Sequence, residues 1–427
     1  MTMRKQEPAT SADDIDLYDP ATQQDWYPAY TTLRDEAPVY RLPGSNTYVL
    51  SRYDDIVYAS RRTDIFLNGP APGAALLHDP EALRIYREQG RSRRAPLSVD
   101  PPLHRRYRDM VDGFFNQRGA DHQRSLIERV VNELIDSFIN DNEIEFVSRF
   151  AAPLPVRIIT SMLGFPLADI PRLTVWSAAW VMPFAGRLTS VEQRYVAEQG
   201  VEFQQYILGQ IAQKRQAPDD SVISHLAHAM FESPDGPRPL TDDEILFTTD
   251  HLYIGGNETT TFALASGLWL LLSNPAVEAR LRSDRSKLPR FVDEVLRLES
   301  PTQGLYRHNT EDVELHGVTI PKGSTIHLRF GAANRDERVF ADPTELDLDR
   351  TNSARHLAFG QGEHHCPGAG LSRLEQVVAF DILLDRIADW RLTPGRNDFH
   401  HTPGFVLRAL DHLHVDITPA IRLKDGL

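Results

Sequence analysis

Apolar residues recur at helical spacing through most of the chain. After Asp100-Pro-Pro102 they fall at positions 103, 107, 110, 111 and 114, which predicts an amphipathic helix. Residues 126–138 and 191–214 show the same periodicity, and residues 289–298 predict a shorter helix. Helices therefore dominate the predicted secondary structure.

The longest helical pattern has a defined beginning and end. Thr241 and Glu244 are spaced as a capping box, in which each side chain accepts a hydrogen bond from the other residue's backbone N–H group. The pattern continues to about Ser273, where Asn274-Pro275 ends it. We therefore predict one unusually long helix between Thr241 and Ser273.

Alternation of polar and apolar residues, which is typical of half-buried strands, is sparse. It occurs at residues 39–51, 313–320, 325–330 and 405–417, with a predicted hairpin turn at Pro321-Lys-Gly323. The predicted fold class is mainly α with small antiparallel β-sheets (α+β).

The composition is that of an ordinary globular protein, with 41% hydrophobic and 25% charged residues. A length of 427 residues would allow two or three domains. No change in composition, internal repeat or low-complexity segment divides the chain, however. We therefore expect one large domain over residues 15–420 after a flexible N-terminal segment, residues 1–14.

Targeting signals are absent from the sequence. No stretch approaches the roughly 20 apolar residues that span a bilayer, and the N-terminus lacks the apolar core of a secretory signal. The single cysteine excludes a framework of intramolecular disulfides and fits a reducing compartment. We expect a cytoplasmic protein with no membrane segment.

The net charge of −14 argues against nonspecific binding to nucleic acid. Basic residues are nevertheless concentrated in one short part of the chain. Without other information, such a cluster is as compatible with a solvated helix face as with a binding surface. The cluster consists of Arg91, Arg93, Arg94, Arg105, Arg106, Arg108 and Arg118.

The only cysteine lies in a glycine-rich segment, Phe-Gly-Gln-Gly-Glu-His-His-Cys-Pro-Gly at residues 359–368. The glycines allow a tight loop that can approach a flat ligand closely. Residues 369–375 predict the start of a helix, whose N-terminus favours the metal-binding thiolate of Cys366. A small buried apolar cysteine is an alternative. A zinc site with His364 and His365 is another, although adjacent side chains point apart.

The pattern Phe-Gly-x-Gly-x-His-x-Cys-x-Gly resembles the haem-binding loop of the cytochrome P450 family, the haem-thiolate monooxygenases, in their soluble bacterial form. All six fixed positions are present. The resemblance implies a haem b whose iron is bound by Cys366. It also implies that Phe359 and Gly360 lie against the haem beside the sulfur and that His364 reaches a haem propionate. A thiolate ligand pushes electron density onto the iron and favours O–O cleavage.

Residues 255–260, Gly-Gly-Asn-Glu-Thr-Thr, match a second motif of the family and lie midway along the long predicted helix. A glycine inside a helix costs roughly 1 kcal/mol relative to alanine. The resemblance implies that Gly255 and Gly256 leave room for dioxygen over the haem, although Gly255 stands where the family more often has alanine. It implies that Glu258 and Thr259 are the acid–alcohol pair that relays protons to dioxygen. Without the resemblance, a surface pair would be the simpler interpretation.

Glu294 and Arg297 have the spacing of a helical ion pair, which on a surface contributes about 0.2–0.5 kcal/mol. The resemblance implies that this pair is internal, is joined by Arg350, and braces the cysteine loop.

The resemblance also assigns partners to the two haem propionates. Buried carboxylates need cationic or hydrogen-bonding partners. The four residues at the matching positions are His104, Arg108, Arg307 and His364.

The substrate pocket is expected from positions in the family pattern. The matching residues are mostly apolar, which predicts a small apolar substrate such as a terpenoid, steroid, aromatic or fatty compound. His251, one helical turn before Gly255, is expected either to bond a backbone carbonyl or to bond a polar group of the substrate. The predicted pocket residues are Met182, His251, Gly255, Thr302, Leu305, Val406 and Leu407.

The activity implied by the resemblance is reductive activation of O2 and insertion of one oxygen atom into the substrate. The chain has no flavin or iron–sulfur motif, so electrons are expected from NAD(P)H through a ferredoxin reductase and a ferredoxin. The arginine cluster would attract an acidic ferredoxin to the cysteine side. A haem-binding sensor and a peroxide-driven enzyme of the same fold are alternatives, and the intact Glu258–Thr259 pair favours the monooxygenase.

Pro367 is a departure from the family pattern. Backbone N–H groups just after the cysteine point at its sulfur in this family. Proline has no N–H group, so this chain is expected to lack one such donor.

Overall fold

The computed structural model describes residues 11–68, 77–91, 96–184 and 188–420. Helices account for most of this structure, as predicted. The α-helices in these ranges are α1 (Pro20–Gln24), α2 (Tyr27–Glu36), α3 (Tyr53–Arg61), α4 (Pro80–Gln89), α5 (Leu103–Phe115), α6 (Gln117–His122), α7 (Arg124–Asp136), α8 (Pro153–Leu163), α9 (Ile170–Val181), α10 (Ser190–Gln216), α11 (Val222–His228), α12 (Asp242–Ser273), α13 (Pro275–Ser283), α14 (Leu288–Glu299), α15 (Phe330–Ala333) and α16 (Ala369–Arg386).

The strands are short and form small sheets, which confirms the predicted fold class. The largest sheet has the order β1-β2-β10-β7-β3, in which only the β2–β10 pair is parallel, and a second sheet has the order β11-β14-β4. The strands in the described ranges are β1 (Val39–Arg41), β2 (Thr47–Leu50), β3 (Phe66–Leu67), β4 (Glu143–Glu145), β5 (Met230–Ser233), β6 (Gly236–Pro239), β7 (Leu305–Asn309), β8 (Val313–Leu315), β9 (Val318–Ile320), β10 (Thr325–Leu328), β11 (Ile387–Leu392), β12 (His401–Thr402), β13 (Ala409–Leu410) and β14 (His414–Pro419).

The long helix α12 lies at the centre of the helical part of the fold, packed against α8, α10, α14 and α16. Its predicted capping box is confirmed. The Glu244 N–H group donates to the Thr241 hydroxyl at 3.2 Å, and the Thr241 N–H group donates to the Glu244 carboxylate at 2.7 Å. The largest cluster of buried apolar side chains joins α12 to α5, α7, α8, α14 and α16. This packing fixes the middle of α12 in the protein interior.

The predicted hairpin turn at Pro321-Lys-Gly323 is wrong. The hairpin is formed by β8 and β9, with Leu315 opposite Val318, so its two-residue turn is His316-Gly317. Both turn residues have positive φ, 51° and 75°, as the tight turns favoured in hairpins require. Residues 321–323 instead lead from β9 to β10, which pairs with β2 and β7.

The structure describes the last four residues of the predicted N-terminal segment. Ser11 caps a 3-10 helix, Ala12–Asp14, by accepting a hydrogen bond from the Asp13 N–H group. Ala12 is buried, and its N–H group donates to the Glu36 carboxylate at 3.1 Å. Residues 11–14 therefore pack against the rest of the fold. Residues 1–10 of that predicted segment lie outside the described residues.

A buried ion cluster links α14 to the segment before the cysteine loop. The Arg297 guanidinium donates to both oxygens of Glu294, at 2.7 and 2.9 Å, and Arg350 donates to the same carboxylate at 3.0 Å. Arg297 also donates to the Asn334 carbonyl at 3.1 Å, and the Asn334 side chain accepts from the Leu357 N–H group at 2.6 Å. The cluster thus holds the chain two residues before Phe359.

In the described ranges no single helix is long and apolar enough to cross a membrane. Taken together, α12 and α13 meet the same criteria of length and composition, but they are bent by 102° at their junction.

Candidate active site

Cys366 lies in a tight loop that leads directly into α16. The Cys366 N–H group donates to the Phe359 carbonyl at 2.9 Å, which closes the loop. Gly360 and Gly362 have φ of 66° and 76°, values that favour glycine. A Cβ atom on Gly362 would also lie 2.5 Å from the Ser60 carbonyl oxygen of α3. These glycines therefore allow the loop to pack against α3.

The surroundings of Cys366 have opposing effects on its thiol. Burial raises the pKa of the thiol. The backbone N–H groups of Gly368 and Ala369, and the charges of Arg108 and Arg373, act in the opposite direction. Those four groups would stabilise a thiolate, which is the form of cysteine that binds a metal.

A cavity of about 320 Å³ separates the middle of α12 from the cysteine loop. It brings together most of the residues that the sequence singled out, although they come from distant parts of the chain. The predicted site residues that line it are His104, Arg108, His251, Gly255, Gly256, Glu258, Thr259, Thr302, Leu305, Arg307, Phe359, Gly360, His364, Cys366, Val406 and Leu407.

The two glycines of α12 differ in what surrounds them. A Cβ atom on Gly255 would have no heavy atom within 4 Å, so Gly255 borders open space in the cavity. A Cβ atom on Gly256 would lie 3.1 Å from the Ile159 side chain of α8. The absence of a side chain at Gly256 therefore permits close packing of α12 on α8. The absence of a side chain at Gly255 instead leaves unfilled space in the cavity.

The Glu258 carboxyl is held by a hydrogen bond from another helix. It accepts from the Ser177 hydroxyl of α9 at 2.8 Å, and the Asn257 amide donates to both Ser177, at 3.1 Å, and Glu258, at 3.4 Å. Burial raises the pKa of Glu258, so the carboxyl keeps its proton to a higher pH than a free glutamic acid. The adjacent Thr259 hydroxyl donates to the Gly255 carbonyl at 2.9 Å.

Buried hydrogen-bonding atoms without partners lie on the side of the cavity formed by α5 and β7. The rings of His104 and His364 are 4.1 Å apart, and His104 Nδ1 and His364 Nε2 have no partner in the described ranges. Burial lowers the pKa of His364 to about 3 and that of Arg307 to about 10. Buried polar atoms are normally satisfied, so these atoms indicate a ligand that carries acceptors such as carboxylates.

Two further features of this region were not expected. Asn68 was not predicted, yet its amide nitrogen lies 3.4 Å from His364 Nδ1. An amide donor at Nδ1 leaves the ring proton on Nε2, the unpartnered atom. Arg108, a predicted propionate partner, is instead bound to Asp112 one turn along α5 and donates to the His365 carbonyl at 2.6 Å.

Met182 is the one predicted pocket residue that is not among the described lining residues. It packs against an apolar cluster between α4 and α10. Its neighbours Trp180, Val181 and Phe184 line the cavity instead, because α9 ends at Val181 and the chain turns through a 3-10 helix. Residues 185–187, which follow Phe184, lie outside the described residues.

The zinc alternative has no support in the structure. In the parts of the chain that are described, no group of three or more histidine, cysteine, aspartate or glutamate side chains is arranged to hold a metal ion.

Comparison with known proteins decides the family. The family model for cytochrome P450 matches residues 174–411. The chain belongs to the cytochrome P450 family. This cytochrome P450 is 33% identical over 411 residues to the 6-deoxyerythronolide B hydroxylase of Saccharopolyspora erythraea, covering 94% of this chain and 98% of that protein. It is also 33% identical over 386 residues to the mycinamicin IV hydroxylase/epoxidase of Micromonospora griseorubida, covering 89% and 92%.

Its structure is similar to that of the cytochrome P450 CREJ in complex with (4-ethylphenyl) dihydrogen phosphate. The TM-score is 0.88 at 26% identity, covering 96% of this chain and 100% of that one. The protein is thus a P450 monooxygenase that uses haem and electrons from partner proteins to oxidise a small organic substrate. The cavity fits haem: Cys366 would supply a sulfur ligand, and the unpartnered atoms of His104 and His364 would bind the two carboxylates of haem.

Pro367 gives a prediction about the potential of this cytochrome P450. We expect Pro367→Leu to add an N–H donor to the sulfur and to raise the haem reduction potential. A hydrogen bond to a charged acceptor contributes about 1.5–3 kcal/mol. Only the difference in that energy between the ferric and the ferrous state affects the reduction potential. For a one-electron couple, a tenfold change in the equilibrium constant corresponds to about 59 mV, so we expect a shift on the order of tens of mV.

Potentiometric titration of both proteins measures the shift. Because Gly368 and Ala369 already direct N–H groups at the sulfur, Gly368→Ala, which keeps its N–H group, is a matched control. An unchanged or lower potential in Pro367→Leu would mean that the proline removes no effective donor.

Proposed function

We propose that this P450 binds haem b through Cys366 and receives electrons from NAD(P)H by way of a ferredoxin reductase and a ferredoxin. The observation that carries the proposal is that Cys366 and the Glu258–Thr259 pair, far apart in sequence, line opposite sides of one cavity. The single cysteine and the dependence on NAD(P)H-linked partners favour the cytoplasm as its compartment.

Haem, when bound, supplies the reductive activation of dioxygen and the insertion of one oxygen atom into the substrate. The protein holds the haem and controls its surroundings. Cys366 binds the iron, and Phe359 and Gly360 lie beside it in the loop. We assign the binding of the haem propionates to His104, His364 and Arg307. Arg108 would become a further partner only if its ion pair with Asp112 broke.

Glu258 and Thr259 are assigned the movement of protons. Burial raises the pKa of Glu258, so its carboxyl holds a proton to a higher pH than a free glutamic acid does. Thr259 Oγ1 donates a proton to dioxygen as it is reduced, and Glu258 restores that proton. Ser177 is a positioning residue, because its hydroxyl is hydrogen-bonded to the Glu258 carboxyl. Reorientation of Glu258 towards Thr259 requires this bond to break.

The cavity lining favours a small apolar substrate of terpenoid, steroid, aromatic or fatty type. His251 and Thr302 are polar exceptions and could bond a polar group on such a molecule. A screen for compounds that shift the haem absorption spectrum measures this preference, and a set of binders that are mainly charged would contradict it. The apolar lining residues include Trp180, Val181, Phe184, Leu305, Val406 and Leu407.

The ferredoxin is proposed to dock beside the cysteine loop. A surface depression of about 370 Å³ there is lined by Arg61, Arg105, Arg108, Glu363 and His365. Three arginines on this face of a protein with net charge −14 favour an acidic partner.

The arginine cluster of the sequence does not act as one surface. Arg91 is paired with Asp243 at 2.5 Å, and Arg106 donates to the Glu232 carbonyl at 2.9 Å, away from the depression. Arg93 and Arg94 lie outside the described residues. Among the members of the cluster that the structure describes, Arg105 and Arg108 line the depression, where Arg61 joins them.

Reconstitution with NADPH, a ferredoxin reductase and an acidic ferredoxin tests the proposal. We expect a hydroxylated or otherwise oxygenated product, and a KM for ferredoxin that rises roughly fivefold to tenfold in Arg105→Glu at low ionic strength. The neighbouring Arg106→Glu is the matched control and should change this KM little. Equal effects in both variants, or an effect that persists at high salt, would contradict docking at the depression.

A further inference from the structure

A cluster of polar side chains joins two helices to the segment that leads into the cysteine loop. Asp293 of α14 accepts a hydrogen bond from Arg373 of α16 at 2.8 Å, and His356 Nε2 lies 3.4 Å from the same carboxylate oxygen. The His356 side chain is fully buried, and its Nδ1 atom accepts from the Ala358 N–H group at 3.2 Å. Because Ala358 directly precedes Phe359, the cluster bonds the backbone beside the aromatic residue of the loop.

Arg373 also contacts the loop through its guanidinium group. The guanidinium carbon lies 4.6 Å from the centre of the Phe359 ring, a distance at which a cation is attracted to an aromatic face. Phe359 and Cys366 line the same cavity. Burial raises the pKa of the Cys366 thiol, and the charge of Arg373 opposes that effect and so favours the thiolate. Arg373 therefore acts on both the ring and the sulfur.

A second pair in the protein has the same form in different surroundings. Arg282 of α13 donates to the Glu278 carboxylate at 2.8 Å, and its guanidinium carbon lies 5.6 Å from the centre of the Trp390 ring. Arg282 and Arg373 are similarly exposed, 27% and 32%. Trp390 is not among the described residues that line the cavity, whereas Phe359 is. The place of its aromatic partner therefore distinguishes Arg373 from an ordinary ion-paired arginine.

We propose that Arg373 is a positioning residue of the haem site, which holds the Phe359 ring in place and whose charge raises the haem reduction potential. The inference rests on the proposed binding of haem through Cys366. Reduction of the ferric haem by the partner protein adds one electron, and so one negative charge, to the iron and its ligands. A nearby positive charge favours the reduced form, and a nearby negative charge opposes it. Asp293 therefore fixes the guanidinium group and also offsets part of its charge.

The two charges of the pair give opposite expectations for the potential. Arg373→Gln should lower the haem reduction potential, whereas Asp293→Asn should raise it. We expect a change of roughly threefold in the ferric–ferrous equilibrium constant in each variant, which corresponds to about 28 mV at about 59 mV per tenfold change. Arg373→Lys, which keeps the charge, should retain most of the wild-type potential. A purely structural role would loosen the loop in both variants and would shift the potential in the same direction.

Potentiometric titration of the holoenzyme measures these shifts, with Arg282→Gln as the matched control that should leave the potential unchanged. An unchanged potential in Arg373→Gln, shifts of the same sign in Arg373→Gln and Asp293→Asn, or an equal shift in Arg282→Gln would each overturn the proposal. If Arg373→Gln binds no haem, Asp293→Asn decides alone, and the absence of a rise in its potential overturns the proposal.

The absorption spectrum of the same reduced samples with carbon monoxide separates this proposal from the proposed function. A thiolate-type spectrum in the wild type, together with equal potentials in all variants, rejects only the role of Arg373. A wild-type holoenzyme without that spectrum rejects the binding of haem iron by Cys366.

Discussion

Thr259→Ala is expected to consume NADPH and oxygen at nearly the wild-type rate but to release peroxide in place of most of the organic product. The Thr259 hydroxyl lines the cavity beside Gly255, where the space for dioxygen is open. A positioned proton donor typically contributes about 10²–10⁴-fold to a rate. Water can replace part of that contribution, so we expect product per NADPH to fall by about tenfold.

Simultaneous measurement of NADPH, peroxide and product checks this expectation. Thr261→Ala is a matched control, because the Thr261 hydroxyl makes the same type of bond to the carbonyl four residues earlier, at 3.2 Å from Asn257. Thr261 is not among the described residues that line the cavity. Thr259→Ser should retain most of the coupling. Wild-type coupling in Thr259→Ala would assign proton transfer to another group.

Arg297→Leu is expected to lower the free energy of unfolding by about 3–5 kcal/mol, because it leaves Glu294 buried without its bidentate partner. Both side chains are 0% exposed. The arginine also holds the carbonyls of Asn334, Pro343 and Glu345, so the loss would extend to the segment that precedes the cysteine loop. Urea unfolding of the holoenzyme measures the difference.

The chain contains a matched control for this pair. Glu81 and Arg84 have the same spacing in α4 and the same bidentate contact, at 2.6 and 2.9 Å, but both side chains are 43% exposed. Arg84→Leu should leave stability nearly unchanged, since exposed pairs contribute little. Arg297→Lys, which keeps the charge but loses the two-pronged contact, should be intermediate and should still fold. A small effect in both Arg297 variants would contradict the bracing role.

Local signals explain why the helices were predictable. The capping box and the Asn274-Pro275 stop lie within a few residues of the ends of α12, so the sequence specifies both ends. The strands depend on distant partners. Nothing near residues 321–323 indicates that β10 pairs with β2, about 280 residues earlier in the chain. The hairpin turn was therefore predicted at Pro321-Lys-Gly323, whereas the structure has it at His316-Gly317.

The site was predictable only where a residue belongs to a recognisable motif. Cys366, Glu258 and Thr259 occur in such motifs, and the structure places all three at one cavity. Ser177 escaped notice because its significance depends on burial and on a neighbour that is remote in sequence. Ser177 meets Glu258 across 81 residues.

Two residues of the predicted site make side-chain contacts that no sequence pattern reveals. Arg108 has an acidic neighbour one turn along its own helix, and Asp112 binds it in place of an external carboxylate. Met182 follows the last residue of α9, and the 3-10 helix that begins there directs its side chain towards α4 and α10.

The central claim is that Cys366 is the axial thiolate ligand of a haem, and the absorption spectrum of the reduced protein with carbon monoxide tests it most directly. We predict the red-shifted band of a thiolate-ligated haem in the wild type and its loss in Cys366→His. A wild-type protein that binds haem but never shows this band would contradict the account.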